Sequence, residues 1–107
     1  MALAKSKVRK YGMGHVSLLN HGVQASTTVY EGSCCSAPSN GYVGPVASGE
    51  DFRGFADEEV SNAAGANGDL DVRLRKEGRV QLVVVGVDGP DDEGKTVYAS
   101  DDDTFSL

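Results

Sequence analysis

Residues 89–96 of this 107-residue chain, GPDDEGKT, have the spacing of a phosphate-binding loop, with Gly89, Gly94, Lys95 and Thr96 at the motif positions. Such a loop binds phosphate through backbone N–H groups and the positive end of the helix that follows. Here three acidic residues occupy the loop and would repel a triphosphate, and the residues after the motif have the composition of a strand. We interpret the segment as a solvated acidic turn and expect no nucleotide binding.

A calcium loop is the other chemistry that this acidic stretch could suggest. An EF-hand that began at Asp88 would need oxygen ligands at alternating positions and a glutamate at the twelfth. The chain instead has Pro90 at the third position and Ala99 at the twelfth. The pattern fails, so we expect no metal site.

A thiolate couple is the nucleophile arrangement that we consider, with Cys34 or Cys35 beside one of the two histidines, His15 and His21. No catalytic signature surrounds these residues. Adjacent cysteines would close a strained ring if they were joined, and their spacing fits no common zinc pattern. We predict reduced, buried or half-buried thiols in a protein that is not an enzyme and has no cofactor.

A basic cluster near the N-terminus supplies the candidate binding residues, which are Lys5, Lys7, Arg9, Lys10 and Tyr11. Residues 1–25 contain no acid, whereas residues 88–103 contain seven acids against one lysine. The net charge of −6 and the lack of interleaved aromatics argue against nucleic acid as the partner. The cluster is then either a disordered tail or an arm that lies on an acidic protein surface, and the second suits it at least as well. A basic arm and an acidic far end on one chain also invite head-to-tail contacts or a charged external partner.

Residues 68–87 contain the strongest structural pattern in the chain. Leu70, Val72 and Leu74 alternate with charged residues, which predicts a strand with one buried face. Gly78 can form a tight turn, and the apolar run at 82–85 suits a strand covered on both faces. The pattern predicts a hairpin whose second strand is central to a sheet.

The rest of the chain supplies short strand patterns separated by glycine-rich turns. Residues 52–60 fit either a helix or a strand, and Gly54 favours a strand that ends near Ala56. No apolar run approaches the roughly 18 residues of a membrane span, and we expect no secretory signal, because no apolar core of about 7–15 residues follows the basic residues. The other strands are predicted at residues 15–19, 25–31, 32–37, 42–46, 96–99 and 104–107.

These patterns predict an all-β fold, a small barrel or sandwich of six to eight short antiparallel strands. An extended, basic N-terminal arm would occupy residues 1–25, and the β domain would occupy residues 26–107. The proline in the 42–46 strand predicts either an edge strand or a position at the start of a strand.

The order of these features resembles the capsid decoration, or cement, proteins of tailed bacteriophages. The resemblance covers roughly residues 26–107. The segments that carry it are VYEG at 29–32, GYV at 41–43, FRGFADE at 52–58, the small-residue loop 62–68, the strand 71–75 with Gly78, GKTVY at 94–98, and DDDT at 101–104.

What the resemblance implies is a structural virion protein, made in the host cytoplasm, that binds the outer capsid surface and stabilises it. Its partners would be the major capsid protein and further copies of itself, in a homo-oligomer such as a dimer or trimer, with no nucleic acid and no membrane. The alternative is another phage structural component, such as a head–tail connector or a tail protein. Assigning the basic cluster to capsid contact is our own expectation, and it predicts that removing residues 1–10 weakens attachment while the β domain stays folded.

Overall fold

The computed structural model describes residues 2–12, 17–87 and 89–107. In these ranges it contains ten strands, one 3-10 turn and no α-helix, so the predicted all-β fold is confirmed. The number of strands exceeds the predicted six to eight, because five of the ten are only two or three residues long and are too short for a clear sequence pattern. They are β1 (Ser17–Gly22), β2 (Thr27–Val29), β3 (Cys34–Ala37), β4 (Gly44–Pro45), β5 (Asp51–Ala56), β6 (Val60–Asn62), β7 (Asp71–Glu77), β8 (Val84–Val85), β9 (Tyr98–Asp101) and β10 (Thr104–Ser106).

Three sheets form a sandwich-like arrangement rather than a closed barrel. The largest has the order β1-β7-β5-β3-β4, a second has the order β8-β10-β9, and β2 pairs with β6. All of the pairs are antiparallel except β8 with β10, which is parallel. The proline-containing strand β4 lies at an edge, one of the two positions that its proline predicted.

Two apolar clusters lie on opposite faces of the five-stranded sheet. Successive side chains of a strand point to opposite faces, so Cys35 packs with Val72 and Leu74 in one cluster, while Cys34 packs in the other with Phe55 and Phe105. The second cluster lies between the five-stranded sheet and the sheet that contains β10. This double coverage explains why β3 is buried along its whole length.

The strand predicted at the start of residues 68–87 is confirmed as β7. Val72 and Leu74 are fully buried, whereas Asp71 and Arg73 are exposed. β7 is also the strand that joins β1 to β5, since it pairs with both of them.

The predicted hairpin, however, is wrong. Both edges of β7 are occupied by β1 and β5, so no edge is left for a partner from residues 79–87. That segment leaves the sheet, forms the two-residue strand β8, and pairs with β10. Leu82 and Val84 face the second cluster, but Val83 and Val85 are 83% and 63% exposed. The apolar run is therefore covered on one face only.

The boundary predicted at residue 25 does not coincide with a structural edge. β1 lies on the arm's side of that boundary and is part of the five-stranded sheet. The predicted strand 15–19 overlaps β1, and its first two residues lie outside the described ranges. None of the described residues form a helix that is long and apolar enough to cross a membrane.

Candidate functional site

Residues 2–12 run in extended conformation along the chain's own β domain. The Leu3 N–H donates to Asp102 Oδ1 at 2.9 Å, and the Lys7 N–H donates to the Glu31 carbonyl at 2.8 Å. The Lys10 carbonyl accepts from the Gln81 N–H at 2.8 Å. This segment, which we call the N-terminal strap, is thus tied to the fold at three separate points.

Arg9 is the centre of the strap, and its side chain is only 3% exposed. Its Nη2 donates to Asp103 Oδ1 at 2.8 Å, and its Nε donates to the Gly32 carbonyl. The guanidinium carbon lies 5.3 Å from the ring centre of Phe55 and 5.4 Å from that of Phe105. A buried cation needs such partners, because desolvation is otherwise costly. Arg9 therefore binds this chain's own C-terminal part and presents no charge to an external partner.

The other predicted binding residues have different environments. Lys7 Nζ lies 3.1 Å from Asp103 Oδ1, and Tyr11 lies beneath Arg75, whose guanidinium carbon is 4.2 Å from the ring centre. Burial raises the pKa of Tyr11, and the nearby Arg75 offsets part of that rise. Of the five candidates, Lys5 and Lys10 are the exposed cations that have no ion pair within the described ranges.

The contacts of Arg9 also argue against the expectation that residues 1–10 can be removed from a domain that stays folded. Removal would leave the Asp103 carboxylate without its principal partner and would uncover the ring faces of Phe55 and Phe105 that the guanidinium covers. The strap is part of the β domain's packing.

A cationic cleft lies beside the strap. It has a volume of about 190 Å³ and opens near a wider depression of about 420 Å³. Its floor contains Tyr11, Phe52 and Val80, and its rim contains Arg75, Lys76, Glu77 and Arg79, with Lys10 in the adjoining depression.

The charges of this cleft are only partly neutralised within the chain. Arg75 Nε lies 2.9 Å from Asp57 Oδ1. Lys10, Lys76 and Arg79 are exposed and form no ion pair among the described residues. The cleft is therefore a positively charged surface on a chain whose net charge is −6.

An apolar cleft of about 600 Å³ lies at the edge of β9, between the two larger sheets. Phe52, Phe55, Leu82, Val97 and Phe105 supply most of its apolar lining, and Cys34 lies at its base. Phe52 is 48% exposed, and its ring meets that of Phe55 edge-to-face with the centres 6.0 Å apart. A cleft of this composition suits an apolar or aromatic group and offers no cluster of polar groups for chemistry.

An apolar strip covers the outer face of the small sheet next to this cleft. Val85 and Tyr98 both pair with Ser106 on the central strand β10, so the three residues form one row across the sheet. Val83 precedes Val85 by two positions, which places it on the same face, and Val83, Val85 and Tyr98 are all exposed large apolar side chains. We call these three residues the apolar strip.

The predicted thiols are free and buried, as expected. Burial raises the pKa of Cys34 and of Cys35 to about 12, which suppresses the thiolate form. His21 lies on β1, which β7 and β5 separate from the cysteines' strand in the sheet order, and burial lowers its pKa. His15 lies outside the described residues. The structure therefore brings together no Cys–His couple among the residues that it describes.

The GPDDEGKT segment forms a 3-10 turn at Pro90–Asp92, and the next regular element is the strand β9 rather than a helix. Lys95 Nζ lies 2.6 Å from Asp92 Oδ1, so the motif lysine is bound by the loop's own acid. This agrees with the predicted acidic turn. Asp88, where the calcium loop would start, lies outside the described residues, and the described ones contain no cluster of three metal-ligating side chains.

Comparison of the chain with protein-family models, with curated protein sequences and with solved structures finds no match. The sequence reasoning identified the basic strap but missed both clefts, because each is assembled from segments that are distant in the chain. A signal for the cationic cleft was present in KEGR at 76–79, which contains the turn glycine Gly78. No sequence pattern indicated the apolar strip, since its two valines, Val83 and Val85, fit a buried strand equally well.

Proposed function

We propose that this protein is a structural component of a tailed-phage virion that binds the outer surface of the capsid and stabilises it. The observation that supports this most is the apolar strip, together with the apolar cleft beside it. Contiguous exposed apolar surface is typical of interaction sites. The protein's function is then to bury surface against major capsid subunits rather than to perform chemistry.

One further feature agrees with a binding role. The strap ties the two ends of the described chain together through Arg9 and Asp103 in a single packed domain. Segments that are already packed lose little conformational entropy on binding. Placement on many equivalent capsid positions, or linkage in an oligomer, would convert weak single contacts into durable attachment.

Co-sedimentation with capsids of the phage that encodes the chain tests the proposal. The wild-type protein should pellet with capsids at a saturating ratio. Val83→Lys combined with Val85→Lys should weaken pelleting by at least about tenfold, because it places two charges in an apolar contact. The matched control is Val8→Lys combined with Leu70→Lys, which alters two exposed apolar residues elsewhere and should leave pelleting unchanged.

Wild-type protein that remains in the supernatant would contradict the decoration role. Equal loss of pelleting in both double variants would instead show that the strip is not the capsid contact. Electron microscopy of virions then separates decoration from the connector or tail alternative. Density of about 11 kDa per copy over the capsid shell supports decoration, and density at the portal vertex or tail supports the alternative.

A further inference from the structure

The cationic cleft combines positive charges with apolar side chains. Lys10, Lys76 and Arg79, which form no ion pair among the described residues, outnumber the one acid on its rim, Glu77. Its floor is apolar, and the exposed ring of Phe52 forms part of it. Exposed like charges held close together repel each other, so an incoming anion would relieve a repulsion that the chain itself leaves in place.

The chain also carries a surface segment of the opposite character. In the turn at 89–97, Asp92 is neutralised by Lys95, while Asp91 and Glu93 are exposed and pair with no cation among the described residues. Val87 and Val97 flank this acidic turn and are 54% and 41% exposed. The turn therefore presents two free carboxylates between apolar side chains.

We propose that the acidic turn of one copy docks into the cationic cleft of a second copy. The two surfaces match in charge, with about two net positive charges in the cleft and two free carboxylates in the turn, and each has exposed apolar groups beside its charges. Asp91 and Glu93 would lie against Lys76 and Arg79, and the flanking valines would meet the floor that contains Phe52. Opposed charge patterns of this kind fix orientation and register between partners.

The two surfaces belong to different parts of the chain, so the contact is head-to-tail. Each copy then has one cleft and one turn to offer, and repetition of the contact builds a ring if the rotation closes or a filament if it does not. The inference rests on the proposed function only in the expectation that the protein acts as an oligomer. It concerns purified protein, and its failure would leave capsid binding to be decided by co-sedimentation.

Analytical ultracentrifugation of the full chain over a concentration series tests this contact. We expect wild-type self-association that weakens by at least about tenfold when salt rises from about 50 to 500 mM. Two charge-reversal variants, Lys76→Glu with Arg79→Glu and Asp91→Lys with Glu93→Lys, should each weaken it by at least about tenfold. All four substitutions in one chain, or an equimolar mixture of the two double variants, should restore association.

The acidic-turn variant gives the sharpest contrast. It brings the net charge from −6 to −2, since each replacement adds two positive charges, and general repulsion between copies would then decrease. Loss of association in this variant consequently requires a specific contact. The control Asp51→Lys with Asp71→Lys makes the same change in net charge at other exposed positions and should not weaken association.

Three results would overturn the proposal. They are a wild-type protein that stays monomeric at every concentration, charge-reversal variants that associate like wild type, and a combined variant that fails to recover association. In the first case, binding of an acidic peptide or of a short DNA duplex, measured by calorimetry, would assign the cleft to a foreign partner instead.

Discussion

Replacement of Arg9 by alanine should destabilise the protein more than any other single change in the strap. The side chain joins the N-terminal strap to the C-terminal residues 102–103 and covers two aromatic rings of the second apolar cluster. Alanine removes the cation, its hydrogen bonds and its contact with Phe55 and Phe105. Among the described residues, the cation that Asp103 then keeps is Lys7, whose side chain is 47% exposed.

The expected loss in the free energy of unfolding is about 3 kcal/mol. A hydrogen bond between charged groups contributes about 1.5–3 kcal/mol, and a cation over an aromatic ring about 0.5–1 kcal/mol or more when it is desolvated. Removing one partner of a fully buried ion pair costs about 3–5 kcal/mol. Asp103 is one-fifth exposed and keeps some solvation, which places this case at the lower end.

Urea unfolding followed by far-ultraviolet circular dichroism measures this loss, since the chain contains no tryptophan for a fluorescence signal. A loss of about 3 kcal/mol should also lower the midpoint of thermal unfolding by about 12 °C or more in a domain of this size. Lys5→Ala is the matched control, because Lys5 is an exposed strap cation, and it should change stability by less than about 0.5 kcal/mol. A loss below about 1 kcal/mol in the Arg9→Ala variant would refute the assignment of Arg9 as a structural residue.

Three other predictions follow from the packing around the strap and the core. Gly32 and Gly49 both have positive φ, so alanine strains the backbone at either position. A Cβ at position 32 would also overlap the backbone of the strap, whereas one at position 49 meets open space. Gly32→Ala should therefore lower the free energy of unfolding by about 2 kcal/mol more than Gly49→Ala does. Cys34 and Cys35 should resist alkylation at pH 8 in the folded protein, since a pKa of about 12 makes the thiolate fraction about a thousandfold lower than at the ordinary value of 9.0. Burial raises the pKa of Asp103, but hydrogen bonds from Arg9 and Lys7 outweigh burial and bring the pKa below 3.8. The contribution of the Asp103 carboxylate to stability should therefore be complete above about pH 4 and lost as the pH falls further.

The measurements that check these predictions are direct. Limited trypsin digestion should cleave the strap faster in the Gly32→Ala protein than in the Gly49→Ala protein, and equal rates would contradict the overlap. Mass spectrometry after iodoacetamide treatment should find thiols labelled only in urea, and rapid labelling of the native protein would contradict their burial. Urea titrations at several pH values should show a smaller acid loss in Asp103→Asn than in wild type, and parallel curves would contradict the role of Asp103.

The proposal of capsid decoration stays a prediction, and its support has two unequal parts. The sequence resemblance covers most of the chain but consists of short segments. The apolar strip and cleft are independent of that resemblance, because they follow from which side chains remain uncovered. Their agreement on a binding role is the reason to perform the co-sedimentation before any assay for catalysis.

The segment at 79–87 shows where pattern reasoning failed. A run of β-branched residues fits a central strand, and the turn at Gly78 fits a hairpin. Each strand, however, has only two edges through which it can pair, and β1 and β5 occupy both edges of β7. Both competitors are distant in sequence, so no local pattern could reveal them.

The basic cluster shows the complementary case. Its residue types suited an acidic surface, and in the structure Arg9 and Lys7 contact Asp103 of the same chain. Arg9 and Asp103 are separated by 94 positions, and only the folded structure brings them within 2.8 Å. A charge pattern defines what a segment can bind, whereas the fold decides which partner is close enough to bind it.

The sequence by itself determined the strand-rich class, the buried face of β7 and the acidic turn, and its proline limited the β4 segment to an edge or a strand start. Each of these depends on local periodicity or on the conformational preferences of a few neighbouring residues. The tertiary structure alone decided the sheet order, the burial of Arg9 and the two clefts. These depend on contacts between segments far apart in the chain, and such contacts are selected by the packing of the whole domain.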